Sequence, residues 1–248
     1  DVNVSGEVDT VVTVSLPETT RANSAEGAFA NVDLNEYTIR YILQVYYNGQ
    51  PSRERLVKYS DGKSVTFPVR LVPGRDYNFV VWADLVEGNN YQDNEWYNED
   101  GLHYNTENLH AITLKDTWVA MDETRDAFTG HFDTAVDGDK TPYNGAKSIN
   151  IPLTRPFAKL RIITTDMEQL NDLGIAPTKA TVEYSVDHYN AFNAFAGQVI
   201  NDSKNRDIKH ENFYIKAHGD NVDDKSKVLF TDYFFAADEE DVVNFTLK

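Results

Sequence analysis

Alternation is the feature that most constrains this chain. From Val8 to Leu16 the even positions read Val8, Thr10, Val12, Val14 and Leu16, while Asp9, Thr13 and Ser15 fall among the odd ones. A two-residue period puts one set of side chains on each face of a strand, so this segment has one face for a core. Pro17 ends it. From Tyr37 to Tyr47 the odd positions Tyr37, Ile39, Tyr41, Leu43, Val45 and Tyr47 share a face, and Thr38, Arg40 and Gln44 point the other way. Asn48-Gly49 then supplies turn chemistry. Leu56–Tyr59 and Val65–Leu71, separated by Asp61-Gly62, read as a hairpin. Pro73-Gly74 leads into Tyr77–Ala83, where Tyr77, Phe79, Val81 and Ala83 share a face.

Further strands are predicted at Ala111–Leu114, Ala127–Phe132, Ser148–Leu153, Ala158–Thr164, Thr181–Val186, Val228–Phe235 and Val242–Leu247. One helix is predicted, Met167–Leu173, with Asp166 as N-cap and Gly174 as its stop. About a dozen short strands and almost no helix make the chain all-β, built as one or two antiparallel β-sandwiches. Single cores stop growing near ~250–300 residues, so 248 residues make one large domain or two ordinary ones. Turn residues cluster at 134–147 and fresh strands follow Ser148. That seam divides the chain into residues 1–153 and 154–248.

Charge and composition remove several function classes. There are 23 Lys+Arg against 40 Asp+Glu, a net charge of −17. A nucleic-acid partner is excluded on that ground, because phosphate contacts need a basic face. No run of about 18 apolar residues is present to span a membrane as a helix. Cys is absent, which removes disulfides, iron–sulfur clusters, thiolate zinc sites and cysteine nucleophiles. Asp1 is not a natural start, so removal of an export signal upstream of it is expected, and the last strand stops without a turn, so the second domain is expected to continue past Lys248.

Catalytic signatures are missing. No H-E-x-x-H or i, i+4 histidine pair occurs, and His103 and His110 read as exposed loop residues. Asp133, Asp137 and Asp139, and likewise Asp220, Asp223 and Asp224, read as solvated acidic turns without a calcium-loop pattern. G-x-S-x-G, Walker A and G-x-G-x-x-G are all absent. The expectation is a non-enzymatic protein with no cofactor and no metal. Residues 85–109 form a long loop rich in Asn and Asp around aromatics. There Trp96 and Tyr97 are placed to stack on a sugar face, with Asn90 and Asp93 on its hydroxyls. The same aromatic types also pin loops to a sandwich edge.

Leu153-Thr154-Arg155-Pro156-Phe157-Ala158-Lys159-Leu160 resembles the L-x-R-x-x-A-K-[VL] strand start of the fimbrillin-like proteins of Bacteroidales, subunits of type V pili and related surface lipoproteins. Val12–Arg21 resembles their first strand and the loop after it. Leu71-Val72-Pro73-Gly74-Arg75-Asp76-Tyr77 with Trp82-Ala83-Asp84 resembles their L-x-P-G-x-x-Y…W-A-D hairpin. Asn190–Ile200 and Leu229–Ala236 resemble segments of their second domain.

The resemblance implies two β-sandwich domains of transthyretin-like, Greek-key topology. It also implies export as a lipoprotein anchored upstream of Asp1 in the outer membrane, and display on the cell surface as part of a fimbrium. Arg21 matches the position at which such precursors are cut. The strand carrying Val8, Val12, Val14 and Leu16 would then be exchanged for one from another fimbrial subunit. Arg155, Ala158 and Lys159 form the shared motif, with both basic side chains expected to point outward and a bulge expected near Pro156. The alternative is a surface lipoprotein that does not polymerise and binds a host glycan or protein through the 85–109 loop.

Overall fold

The computed structural model describes residues 6–18, 27–88, 101–115, 118–136, 142–175, 179–185, 187–206, 209–213, 228–236 and 244–248. The fold is nearly all β, in several sheets. The chain divides into two compact units. One comprises Asp1–Lys115, Thr124–Pro156 and Phe192–Gln198; the other comprises Asp116–Glu123, Phe157–Ala191 and Val199–Lys248.

The strands before Pro156 are β1 (Val8–Ser15), β2 (Tyr37–Tyr47), β3 (Gln50–Pro51), β4 (Leu56–Ser60), β5 (Ser64–Leu71), β6 (Tyr77–Glu87), β7 (Tyr104–Asn105), β8 (Ile112–Leu114), β9 (Phe128–Asp133) and β10 (Ser148–Pro152). One sheet runs β10-β1-β5; another runs β3-β2-β6-β9, with β4 also paired to β2. Their inner faces share one core. Val12, Val14, Phe67, Leu71 and Ile151 come from the first sheet, and Ile39, Tyr41, Leu43, Phe79 and Val81 from the second. This is sheet-on-sheet packing, with alternate residues of each strand turned inward.

Asn48 and Gly49 both adopt left-handed backbone, with φ of 50° and 72°, and join β2 to β3 in a two-residue hairpin. Asn-Gly suits that turn because both central residues need positive φ. Asp61-Gly62 behaves differently from the sequence expectation. β4 pairs with β2 and β5 pairs with β1, so this connection arches from one sheet to the other and closes no hairpin. Periodicity assigns each strand a face but not a partner. The Tyr41 hydroxyl, donating to the Gly62 carbonyl at 2.7 Å, fixes the arch.

At one border the two sheets approach each other directly. Thr129 and Thr154 exchange backbone hydrogen bonds, both at 2.8 Å. A Cβ on Gly130 would lie 2.6 Å from Leu153 Cδ2 and 2.9 Å from Ile151 Cγ2, so only glycine admits this approach.

The β2–β6 layer departs from one-sided alternation. Arg40, Ile42, Gln44 and Tyr46 are buried, as are Val80, Trp82, Asp84 and Val86. Their face is covered by Tyr104, Thr106 and His110 and by Phe192 and Phe195. A sheet buried on both faces needs near-continuous apolar strands, and Val80–Ala83 supplies them.

Past Pro156 lie β11 (Phe157–Ile163), helix α1 (Met167–Asp172), β12 (Lys179–Tyr184), β13 (His188–Tyr189), β14 (Ala191–Asn193), β15 (Gln198–Val199), β16 (Lys204–Arg206), β17 (Lys209–Phe213), β18 (Val228–Phe235) and β19 (Phe245–Leu247). β14 extends a sheet of order β15-β14-β8-β7. The remaining strands form sheets β11-β18-β13-β16 and β17-β12-β19. β11 pairs with β18 without interruption from Phe157 to Ile162, and the register shifts between Ile162 and Ile163. The irregularity therefore sits at the end of β11 opposite Pro156. Asp166 precedes α1 without a side-chain capping bond, whereas Gly174, at φ 70°, stops the helix as its lack of a Cβ allows.

Candidate functional site

β1 lies in the middle of its sheet. It runs antiparallel to β5 from Val8↔Leu71 to Ser15↔Ser64, and parallel to β10 from Val11↔Ser148 to Ser15↔Pro152. Every other described ladder register is antiparallel. Val12 and Val14 are fully buried, Leu16 is buried, and Val8 and Thr13 are half-buried. Thr10 is the one polar residue on the inner face. Its hydroxyl bonds the Tyr143 hydroxyl and donates to the Ala146 carbonyl at 2.8 Å. Burial raises the Tyr143 phenol pKa, and the Thr10 bond partly offsets this. Beyond β1, Leu16 N–H bonds the Lys63 carbonyl at 2.8 Å, and the Ser15 carbonyl accepts from Leu153 N–H at 2.8 Å.

Arg155 and Lys159, expected to point outward, instead have side chains largely buried in ion pairs. In the first unit Arg155 forms a two-point pair with Asp126, both contacts at 2.6 Å, and stacks over the Phe128 ring at 5.3 Å. Arg155 and Asp126 side chains are 10% and 3% exposed. In the second unit Lys159 Nζ lies 2.9 Å from Glu123 Oε2, which also accepts from the Tyr233 hydroxyl. Acidic partners at Glu123 and Asp126 draw both cations inward; an isolated strand cannot reveal them. Ala158 is half-buried opposite Phe234.

A second buried pair lies under residues 101–106. Arg40 Nε and Nη2 contact the Asp84 carboxylate at 2.8 and 2.7 Å, and Trp82 Nε1 donates to the same carboxylate at 3.1 Å. Thr106 Oγ1 accepts from Arg40, and Gly101 packs against both charges. Bidentate geometry with extra donors is what makes a buried pair tolerable.

His103 is buried, with Nε2 2.8 Å from Thr124 Oγ1, and His110 is half-buried against the Phe195 ring at 4.5 Å. Neither is the exposed loop residue that local composition suggested. Arg21, Asn90, Asp93, Trp96 and Tyr97 lie outside the described residues, as do Asp137, Asp139, Asp220, Asp223 and Asp224. Among the described residues no group of three or more His, Asp or Glu is placed to hold a metal ion, and no helix is long and apolar enough to cross a membrane.

A family model matches residues 2–248. The chain belongs to DUF6562, a family of unknown function. No curated protein matches it. The DUF6562 chain is similar to a solved "putative adhesin" from Bacteroides thetaiotaomicron, with 10% identity and TM-score 0.49, over 99% of this chain and 78% of that one. It is also similar to a "putative adhesin" from Bacteroides ovatus, with 10% identity and TM-score 0.38, over 97% and 72% of the two chains.

Proposed function

We propose that this chain is a non-enzymatic structural subunit of a bacterial surface fibre, assembled by release and replacement of β1. The observation that carries this reading is the middle position of β1. A strand removed from between β5 and β10 leaves two rows of unpaired backbone groups and the pockets of Val12, Val14 and Leu16. An incoming strand with the same alternation satisfies both. The resemblance of Val12–Arg21 and Leu153–Leu160 to fimbrillin-like proteins supports the same reading. With it come anchoring upstream through a lipid, display at the outer membrane, cutting after Arg21, and other fibre subunits as partners.

Limited cleavage with an arginine-specific protease tests the proposal. Cleavage after Arg21 is expected to free the Asp1–Arg21 fragment and to yield ladders of polymers that persist in cold detergent. A synthetic peptide of the Val8–Leu16 sequence is expected to block those ladders. A cleaved chain that retains its fragment and stays monomeric, or that unfolds without assembling, overturns the proposal.

A further inference from the structure

The groove that β1 fills is apolar along its inner face except at one position. Opposite that face stand Leu71, Val69, Phe67 and Val65 on β5, and Ile149 and Ile151 on β10. Thr10, 1% exposed, is the exception on β1. Its hydroxyl meets the Tyr143 hydroxyl and lies 2.8 Å from the Ala146 carbonyl oxygen, which the Tyr143 hydroxyl also approaches at 2.9 Å. The receiving half of this contact is built without β1. Tyr143 N–H donates to the Arg75 carbonyl at 2.9 Å, Gly74 N–H donates to the Tyr143 carbonyl at 2.8 Å, and the Tyr143 ring meets Tyr77 edge-on. The hydroxyl is therefore positioned independently of the strand it receives.

Alternation alone leaves register open in such a groove. A slip of one residue turns the apolar face outward, whereas a slip of two keeps it inward. One two-residue slip sets Val12 opposite Val69 and beside Tyr143; the other carries Thr10 into the fully buried place of Val12, opposite Phe67 and Ile149. The first leaves the Tyr143 hydroxyl facing a methyl group, and the second leaves a hydroxyl among apolar side chains. Only the register with Thr10 at Tyr143 avoids both.

We propose that Tyr143 and Ala146 are a register key for the strand that replaces β1. The groove takes an extended segment with a Thr or Ser hydroxyl at the place of Thr10, and apolar side chains two, four and six residues after it. The inference rests on the proposed replacement of β1 and adds the chemistry of the strand accepted. A segment whose hydroxyl is displaced by two residues binds displaced by two.

The chain has no cysteine, so one introduced thiol reports register by disulfide trapping. Thr13 stands opposite Thr66, and Ser15 opposite Ser64, within disulfide reach. The full chain, cleaved after Arg21 and carrying either Thr66→Cys or Ser64→Cys, is incubated in a glutathione buffer with Val8–Leu16 peptides that carry Thr13→Cys. The peptide with Thr10 in place is expected to couple to Thr66→Cys at least about tenfold more than to Ser64→Cys. Thr10→Ser is expected to keep that preference. An isomer of the same composition, with Val8→Thr and Thr10→Val, is expected to reverse it. Its hydroxyl reaches Tyr143 only after a two-residue slip, which brings its thiol opposite Ser64 and sets valines in the places of Val12 and Val14. An isomer that still couples to Thr66→Cys, or peptides that couple to both chains alike, overturn the key and leave the replacement of β1 standing. Loss of the preference with Thr10→Ser does the same. Coupling by no peptide, with the Asp1–Arg21 fragment still bound, overturns the replacement and the key together.

Discussion

Arg155 and Asp126 meet at two points, Nε to Oδ1 and Nη2 to Oδ2, each at 2.6 Å. With both side chains at least nine-tenths buried, the energy of this contact lies less in its attraction than in what remains when one partner goes. Arg155→Ala leaves the Asp126 carboxylate buried without its two-point cation, and is expected to cost about 3–5 kcal/mol. Replacing both, as Arg155→Met with Asp126→Leu, is expected to recover most of that loss, because a desolvated pair roughly breaks even against apolar groups of similar volume. Urea denaturation of the three variants checks this. An Arg155→Ala loss below about 1 kcal/mol, the range of an exposed pair, would refute it.

Gly101 makes a sharper test of the Arg40–Asp84 pair. A Cβ there would overlap both the Asp84 carboxylate and an Arg40 Nη2, inside a site where neither charge can turn to water. Gly101→Ala is expected to destabilise the first unit by about 2–4 kcal/mol through overpacking and loss of pair geometry. Thermal unfolding followed by circular dichroism measures it; a neutral result would mean that residues 101–106 move aside without cost.

On β1 the inner and outer positions differ in kind. Val12 is fully buried while its neighbour Thr13 is half-buried. Val12→Asp places a carboxylate among apolar side chains with no partner and is expected to cost at least about 4 kcal/mol. Thr13→Asp stays within reach of water, with an expected loss of about 1 kcal/mol or less. Equal midpoints for the two variants in a denaturant series would reject the inward orientation of the even face.

Alternation makes β1, β5 and the inner halves of β2 and β6 legible, because one buried face imposes a period of two. It cannot show pairing. Arg40 and Asp84 stand opposite each other in register, yet 44 positions separate them, and nothing local marks either as buried. The same limit hides Asp126 and Glu123 from Arg155 and Lys159, which therefore read as outward cations. The sequence also gives no sign that Phe192–Gln198 is counted with the first unit. There Phe195 lies 5.1 Å from Tyr46 and 4.5 Å from His110, a fit that depends on three distant segments.

Tyr41 gives the chain a defined response to alkali. Its ring is fully buried, its hydroxyl donates to Gly62 across the arch between β4 and β5, and burial pushes its pKa far above the usual value of about 10. The folded state therefore holds the phenol proton more tightly than the unfolded chain does. Stability from this group is fully present below the unfolded value, about pH 10, and falls as pH rises above it toward the folded pKa, because only the unfolded chain ionises there. Tyr41→Phe removes the proton and the Gly62 hydrogen bond together. The variant is expected to be about 0.5–1.5 kcal/mol less stable at neutral pH, and to lose stability less steeply above about pH 10. Chemical denaturation from about pH 7 to about pH 11 compares the two slopes. Parallel curves for the parent and Tyr41→Phe would show that the alkaline loss arises from other groups.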